Sequence, residues 1–348
     1  MRKGLSLVLC IATYLLFCIT PAQAFTPGDA NNDEDVNLAD IIQVVNIVFS
    51  EGLYPPEGEQ ADPNADCKVN IADIVYLVNY VFKGGPPPDW ITCFENPVPV
   101  GEPIETPALE ESFFLTFDGK RAYFSSNGHP NYGGTDLFYS DWDSVNGTWS
   151  IPVNLGPQVN SGSNDIQPSV SSDGKRLFFQ AFGRAGGLGG WDVWYCEWDS
   201  VTGQWGVPIN PGPNINSEQG EGSPFITADG QELYFTGPGG LYVSYWAGSE
   251  WGPRAFLDFP NINYWGVESG PSLTADKKWF YFDAYITMLV SYWTGSGWTP
   301  RKELLAPINP GRHPYITPDG KKLYFISARP CELGTCGIWV AERKFQNK

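Results

Sequence analysis

Five times after residue 108 the chain returns to one phrase: an apolar strand, a turn, then a second strand crowded with aromatics. The copies are FLTFDGKRAYFSS from Phe114, PSVSSDGKRLFFQ from Pro168, PFITADGQELYFT from Pro224, PSLTADKKWFYFD from Pro271 and PYITPDGKKLYFI from Pro314. Asp-Gly reads as a two-residue hairpin turn, because glycine accepts positive φ. The fourth copy carries Asp276-Lys277, a weaker turn. A third strand follows each pair: TDLFYSDW, WDVWYCEW, LYVSYWA, MLVSYWT and GIWVAER. Trp149, Trp205, Trp251 and Trp298, each shortly before a proline, mark a fourth. Four short strands recurring every 43 to 56 residues cannot bury both faces of one sheet. Radial stacking can, and it defines a five-bladed β-propeller. The fifth unit has no Trp-marked strand, so the extended segment around Val98–Ile104 is expected to supply it and close the ring.

A second repeat precedes the first. Residues 29–40 read DANNDEDVNLAD and residues 62–73 read DPNADCKVNIAD, 33 residues apart. This spacing wraps oxygen ligands around one calcium ion, from side chains at positions one, three, five and twelve and a carbonyl at seven. The expected ligands are Asp29, Asn31, Asp33, Asp40 and the Asp35 carbonyl, then Asp62, Asn64, Asp66, Asp73 and the Lys68 carbonyl. Asn37 and Asn70 at position nine would hold a water. Position six, glycine in an ordinary EF-hand, is Glu34 or Cys67, and position twelve is Asp rather than Glu. Each loop opens a short helix, IIQVVNIVF from Ile41 and IVYLVNYVF from Ile74, with no amphipathic helix before the first loop.

This loop–helix pair resembles a type I dockerin, over residues 28–89. The resemblance implies two Ca2+ ions and a cohesin-type protein partner. It also implies a recognition face: Leu38, Ala39, Val45 and Asn46 in one copy, Ile71, Ala72, Val78 and Asn79 in the other. The near-match of the two sets implies faces interchangeable by a half-turn. The propeller units resemble the WD-like repeats of the TolB type, with their PSxSxDGKxLYF signature. That resemblance implies binding surfaces more often than catalysis, and fold alone does not fix function.

The expected layout is therefore mostly β, a five-bladed propeller preceded by a small α-helical calcium-binding module. Residues 1–24 read as a signal peptide: Arg2 and Lys3, an apolar run from Leu5 to Ile19, and Ala22-Gln23-Ala24 before a cleavage point. Residues 25–89 are the dockerin, 90–107 a Pro-rich spacer and possible closing strand, and 108–345 the propeller. Dense proline and glycine in 84–107 predict an extended, semi-rigid linker. The expected location is extracellular, held to a surface through the cohesin partner. No later segment reads as a membrane span. With 39 acidic against 21 basic residues and a net charge of −18, nucleic acid and anionic membranes are poor partners. Among the cysteines, Cys331 pairs most easily with Cys336 and Cys67 can pair with Cys93, which leaves Cys196 as a buried thiol.

Chemistry on the propeller is sought where a carboxylate precedes the inner strand of most blades: Glu111, Asp165, Glu221 and Glu268, with Arg312-His313 in the fifth. Such a ring at one channel mouth could bind a polysaccharide or oligosaccharide, or could merely hold turns in place. Two of its carboxylates could also act as acid and base, making the alternative a glycoside hydrolase. No GxSxG, HExxH or CxxC pattern occurs. The position repeats blade after blade, which favours binding over catalysis.

Overall fold

The computed structural model describes residues 26–50, 58–108, 110–331, 334–335 and 337–344. The signal-peptide segment and the expected Cys331–Cys336 bridge lie outside the described residues. The chain is mostly β, with two helices near its start, α1 (Leu38–Ser50) and α2 (Ile71–Lys83). They pack on each other around Ala30, Ile41, Val44, Ala61 and Leu77.

Five antiparallel sheets follow. Blade one uses Glu110–Leu115, Arg121–Ser126 and Asp136–Asp143, with outer pieces Thr148–Trp149 and Val153–Asn154. Blade two uses Asp165–Val170, Arg176–Phe182, Trp191–Asp199 and Gln204–Trp205. Blade three uses Gly222–Ile226, Glu232–Gly237, Gly240–Tyr245 and Ala255–Phe256. Blade four uses Glu268–Leu273, Trp279–Ala284, Thr287–Tyr292 and Lys302–Glu303. Blade five takes Arg312–Ile316, Lys322–Ile326 and Ile338–Glu342, and its fourth strand is Val98–Pro99, drawn from before blade one. The core between blades is aromatic and aliphatic throughout.

The inner turns are longer than the two residues expected. Thr116 N–H bonds the Arg121 carbonyl, which encloses residues 117–120. Only the glycine is left-handed, with Gly119, Gly174, Gly230 and Gly320 at φ 67–72°. Asp118 Oδ1 accepts from Thr116 Oγ1 and Lys120 N, so the Asp is needed as an acceptor. Lys277 adopts the same conformation at φ 58°, so blade four keeps the turn without glycine.

Two devices repeat around the ring. The third and fourth strands meet through a tryptophan pair, Trp142–Trp149, Trp198–Trp205, Trp246–Trp251 and Trp293–Trp298, with centroids 5.1–5.3 Å apart. In blade five the pair is Arg343 and Phe94, joined by a β-bridge. The second device is a side-chain latch onto the previous blade. Asn160, Asn216, Asn263 and Asn309 each accept from the backbone N–H of Leu137, Val193, Leu241 or Met288 and donate to the carbonyl of the same residue. Glu105 takes that place at the closure, accepting from Ile338 N.

The Pro-rich segment does not run as a free spacer. Trp90 packs edge-on against Trp279 and Tyr292, and Phe94 against Tyr281. Asp89 pairs with Lys302, whose Nζ also donates to the Trp90 carbonyl at 2.6 Å. Glu59 holds Arg343 through two bonds of 2.7 Å. Composition predicts extension, but burying two large aromatics outweighs it, at about 2–3 kcal/mol each. The helical module is thereby seated on blades four and five.

Candidate functional site

Both calcium loops fold alike. Asp29 accepts from Asp33 N and Glu34 N at 2.9 Å, and Asp62 accepts from Asp66 N at 3.2 Å and Cys67 N at 2.8 Å. Asp40 accepts from Asn31 N and Asn37 N, and Asp73 from Asn70 N at 2.7 Å. Positions four and six are left-handed in each loop: Asn32 and Glu34 at φ 61° and 75°, Ala65 and Cys67 at 55° and 62°. Non-glycine residues hold the turn at a steric cost. Carboxylate oxygens of Asp29, Asp33 and Asp40 lie within 4.8 Å of one another. Asp29, Asp40, Asp62 and Asp73 are all buried, and the Asp73 Oδ1 is buried with no hydrogen-bond partner. The converging carboxylates of the first loop and the orphaned oxygen of the second each fit a divalent cation. Asn31, Asn64, Asp66 and the Asp35 and Lys68 carbonyls belong to the same loops. Asn37 and Asn70 have another use than holding water: each caps a helix, through Ala39 N and Ala72 N at 2.8 Å.

Burial, then the neighbouring Asp73, pushes Asp62 up to about 7 without a cation, and burial pushes Asp73 up to about 6. Both exceed the ordinary 3.8. Between about pH 4 and 7 the metal-free fold therefore binds more protons than the unfolded chain, and its stability falls as pH rises. Calcium reverses the sign, because it needs the ionised carboxylates and protons compete with it. Amide exchange in α1 and α2 of the full-length protein should be slower at pH 4.5 than at pH 7.5 without calcium, after correction for intrinsic rates. With calcium it should be slower at pH 7.5. Equal protection at both pH values without calcium would refute this.

The expected docking face is only partly outward. Leu38, Ile71, Ala72 and Asn46 are exposed, Ala39 and Asn79 half-buried, and Val45 and Val78 pack against the helical core. Sequence reasoning missed Ile42, Phe49, Val75 and Phe82, exposed by 54, 65, 52 and 61%. Leu38, Ile42 and Phe49 fall on one helical face at i, i+4 and i+11, and Ile71, Val75 and Phe82 repeat that stripe. The periodicity was the available signal.

Cys67 and Cys93 form a disulfide, S–S 2.05 Å, which ties the second loop to the residue before Phe94. Cys196 is a buried free thiol, and burial pushes it up to about 12. That leaves it unreactive.

Four propeller carboxylates are buried and bonded to their own turns. The blade-one member is Glu110, not Glu111: Glu110 is fully buried, while Glu111 is half-exposed. Glu110 accepts from Thr106 N, Thr106 Oγ1 and Ser126 Oγ. Asp165 accepts from Ser161 N and Oγ, and Glu221 from Ser217 N and Oγ. Glu268 accepts four backbone N–H groups, from Tyr264 to Val267. Arg184, Arg254 and Arg301 pair with Asp165, Glu221 and Glu268 at 2.9, 2.6 and 2.7 Å. Burial alone would raise Glu268, but its N–H donors and Arg301 outweigh burial and hold it below the usual carboxylate range. Glu110 has no arginine, and burial raises it. None of these four lines the cavity on the channel axis. The channel axis narrows to a cavity of about 40 Å³. Gln167 lines it, donating to the His313 ring at 3.1 Å and accepting from Ser223 N and Oγ. His313 N–H donates to the buried Asp283. Arg312 stands at the rim of a different cavity.

The fold and these loops define a calcium-loop docking module built onto a five-bladed β-propeller. Residues 27–82 match the Dockerin type I domain, and this part of the chain is a type I dockerin. Comparison with curated proteins gave no match. Among solved structures, the native arabinanase of Bacillus subtilis is similar at 14% identity and TM-score 0.45, over 70% of this chain and 97% of that one. The BlXynB protein from Bacillus licheniformis is similar at 13% identity and TM-score 0.45, over 71% and 53%. The periplasmic gluconolactonase of Pseudomonas aeruginosa is similar at 14% and TM-score 0.40, over 62% and 64%. No helix among the described residues is long and apolar enough to cross a membrane.

Proposed function

We propose that this is an exported protein whose dockerin, holding two calcium ions, docks onto a cohesin-type partner and presents the propeller as a binding surface for extracellular polysaccharide. The observation that carries the docking half is the paired stripe Leu38, Ile42, Phe49 and Ile71, Val75, Phe82, exposed on the helices that follow the two acidic loops. A soluble module leaves such apolar stripes uncovered where a partner covers them. The PSxSxDGKxLYF phrases support a TolB-like propeller. The four repeated carboxylates are committed to turns, three of them also to arginines, which weighs against hydrolysis.

The test is titration calorimetry of the full-length protein against a panel of type I cohesins, with calcium and with chelator. Binding to at least one cohesin is expected with calcium, and none with chelator. Phe49→Ser with Phe82→Ser should abolish it while calcium binding persists. Failure of every cohesin would overturn the docking half. For the propeller, retention on a polysaccharide panel is expected without release of reducing ends. Release would restore the hydrolase alternative.

A further inference from the structure

We propose that the cavity at the loop end of blade five, lined by Arg312, binds the carboxylate of an acidic sugar of the uronic-acid class. This rests on the reading of the propeller as a glycan-binding surface and names the ligand's chemistry. Blade one lacks the arginine of the repeat, and blade five lacks its carboxylate. Blades two, three and four each place an arginine on a buried carboxylate and on a backbone carbonyl: Val159 for Arg184, Ile215 for Arg254 and Ile262 for Arg301. Blade five keeps the arginine and the carbonyl. Arg329 Nη2 donates to the Pro307 and Ile308 carbonyls. Its guanidinium lies over Phe325 and Trp339 at 5.1 and 5.8 Å, as Arg184 lies over Phe179 and Trp194 at 5.6 and 5.7 Å. The carboxylate is gone.

Three residues before the inner-strand proline stand Asp165, Glu221 and Glu268, and in blade five Gly311. A Cβ at Gly311 would come within 2.6 Å of Met288 Cε and 2.8 Å of Phe325 Cδ2, so the backbone there offers no acid of its own. Arg329 Nη1 is buried without a partner. Arg312 makes no ion pair among the described residues. A cavity of about 520 Å³ opens here, lined by Arg312, Gly311, Ile286, Ile326, Ser327 and Ala328. That volume suits a sugar residue. Its apolar wall matches the C–H face of a pyranose, and guanidinium groups pair readily with carboxylate. A ligand carboxylate at Arg312 would also meet the positive field of Arg329 behind the cavity wall.

The test is calorimetry of the full-length protein with glucuronate and galacturonate oligomers, the matching neutral oligomers, and inorganic phosphate. Uronate oligomers are expected to bind, and the others not. Arg312→Gln should weaken binding about ten- to a hundredfold, as loss of one charge-assisted contact does. Ala328→Glu, at an exposed rim position, supplies the missing acid within the chain and should abolish binding without lowering the melting midpoint. Equal binding of neutral oligomers or phosphate, or an unchanged Arg312→Gln variant, would overturn the proposal. Retention of a neutral polysaccharide by both variants would overturn it while leaving the propeller's glycan role standing. No binding to any probe would overturn both, with cohesin docking judged separately.

Discussion

The double variant Asp29→Ala with Asp62→Ala should leave α1 and α2 unfolded at every calcium concentration, while the propeller melts as before. The reason lies in how little else holds the module. Each helix is 13 residues, too short to persist alone in water. The buried core between them is Ala30, Ile41, Val44, Ala61 and Leu77. A ligand that binds only the folded state adds about 2.7 kcal/mol at a hundredfold excess over its Kd, so two sites supply about 5 kcal/mol. That is comparable to the whole stability of a small domain. Calcium titrated into the wild-type protein should raise amide protection in both helices, with two ions bound. Full protection in calcium-free buffer at pH 7.5 would refute the expectation.

The second large effect should come from a residue outside the five phrases. Phe94→Ala should lower the propeller's melting midpoint by on the order of 10 °C, since truncating a buried Phe costs about 3–5 kcal/mol. Phe94 is 3% exposed and packs on Tyr281, as Trp205 packs on Tyr123 and Trp251 on Phe178. Without it the strand that continues through Val98–Pro99 loses its anchor, and Ile338–Glu342 becomes a bare edge. Val98→Ala, at a position 56% exposed on the same strand, should change the midpoint little. Calorimetric scans of the two variants decide it. Equal midpoints would mean the closing strand is held elsewhere.

Phe94 also shows how far the sequence could be read. The blades were legible because the turn phrase recurs with its acceptor Asp and its aromatics. The closing half-phrase is present too: Phe94, Pro97, Val98, Val100, Gly101 and Ile104 fall at the spacing of Trp149, Pro152, Val153, Leu155, Gly156 and Val159. Phe in place of Trp and Glu105 in place of Asn160 hid it. The segment was read correctly as a strand donor, but its anchor was missed. The confusion of Glu111 with Glu110 has a backbone cause. The inner strand carries a register shift between Glu110 and Ser112, and comparable shifts occur in the other inner strands, so counting by alternation fails there. The arginine partners were illegible because Arg184 leaves one loop of its blade and Arg254 and Arg301 leave another. Spacing therefore cannot align them. The acidic loops were legible because each holds its whole pattern within twelve residues.

The Cys67–Cys93 bond and the Glu59–Arg343 pair acquire a mechanical meaning once the dockerin is gripped. Suppose a partner holds the helices while a bulky substrate drags on the propeller. Tension would pass down the chain from α2 into the start of the closing strand and peel it from its neighbour, the weakest way to load a sheet edge. The disulfide adds a second route, since it joins Cys67, just before α2, directly to Cys93. Glu59 delivers part of the pull directly to Arg343, on the opposite strand of the same pair. Both strands of the seam are then drawn in one direction, and the ring is towed rather than unzipped.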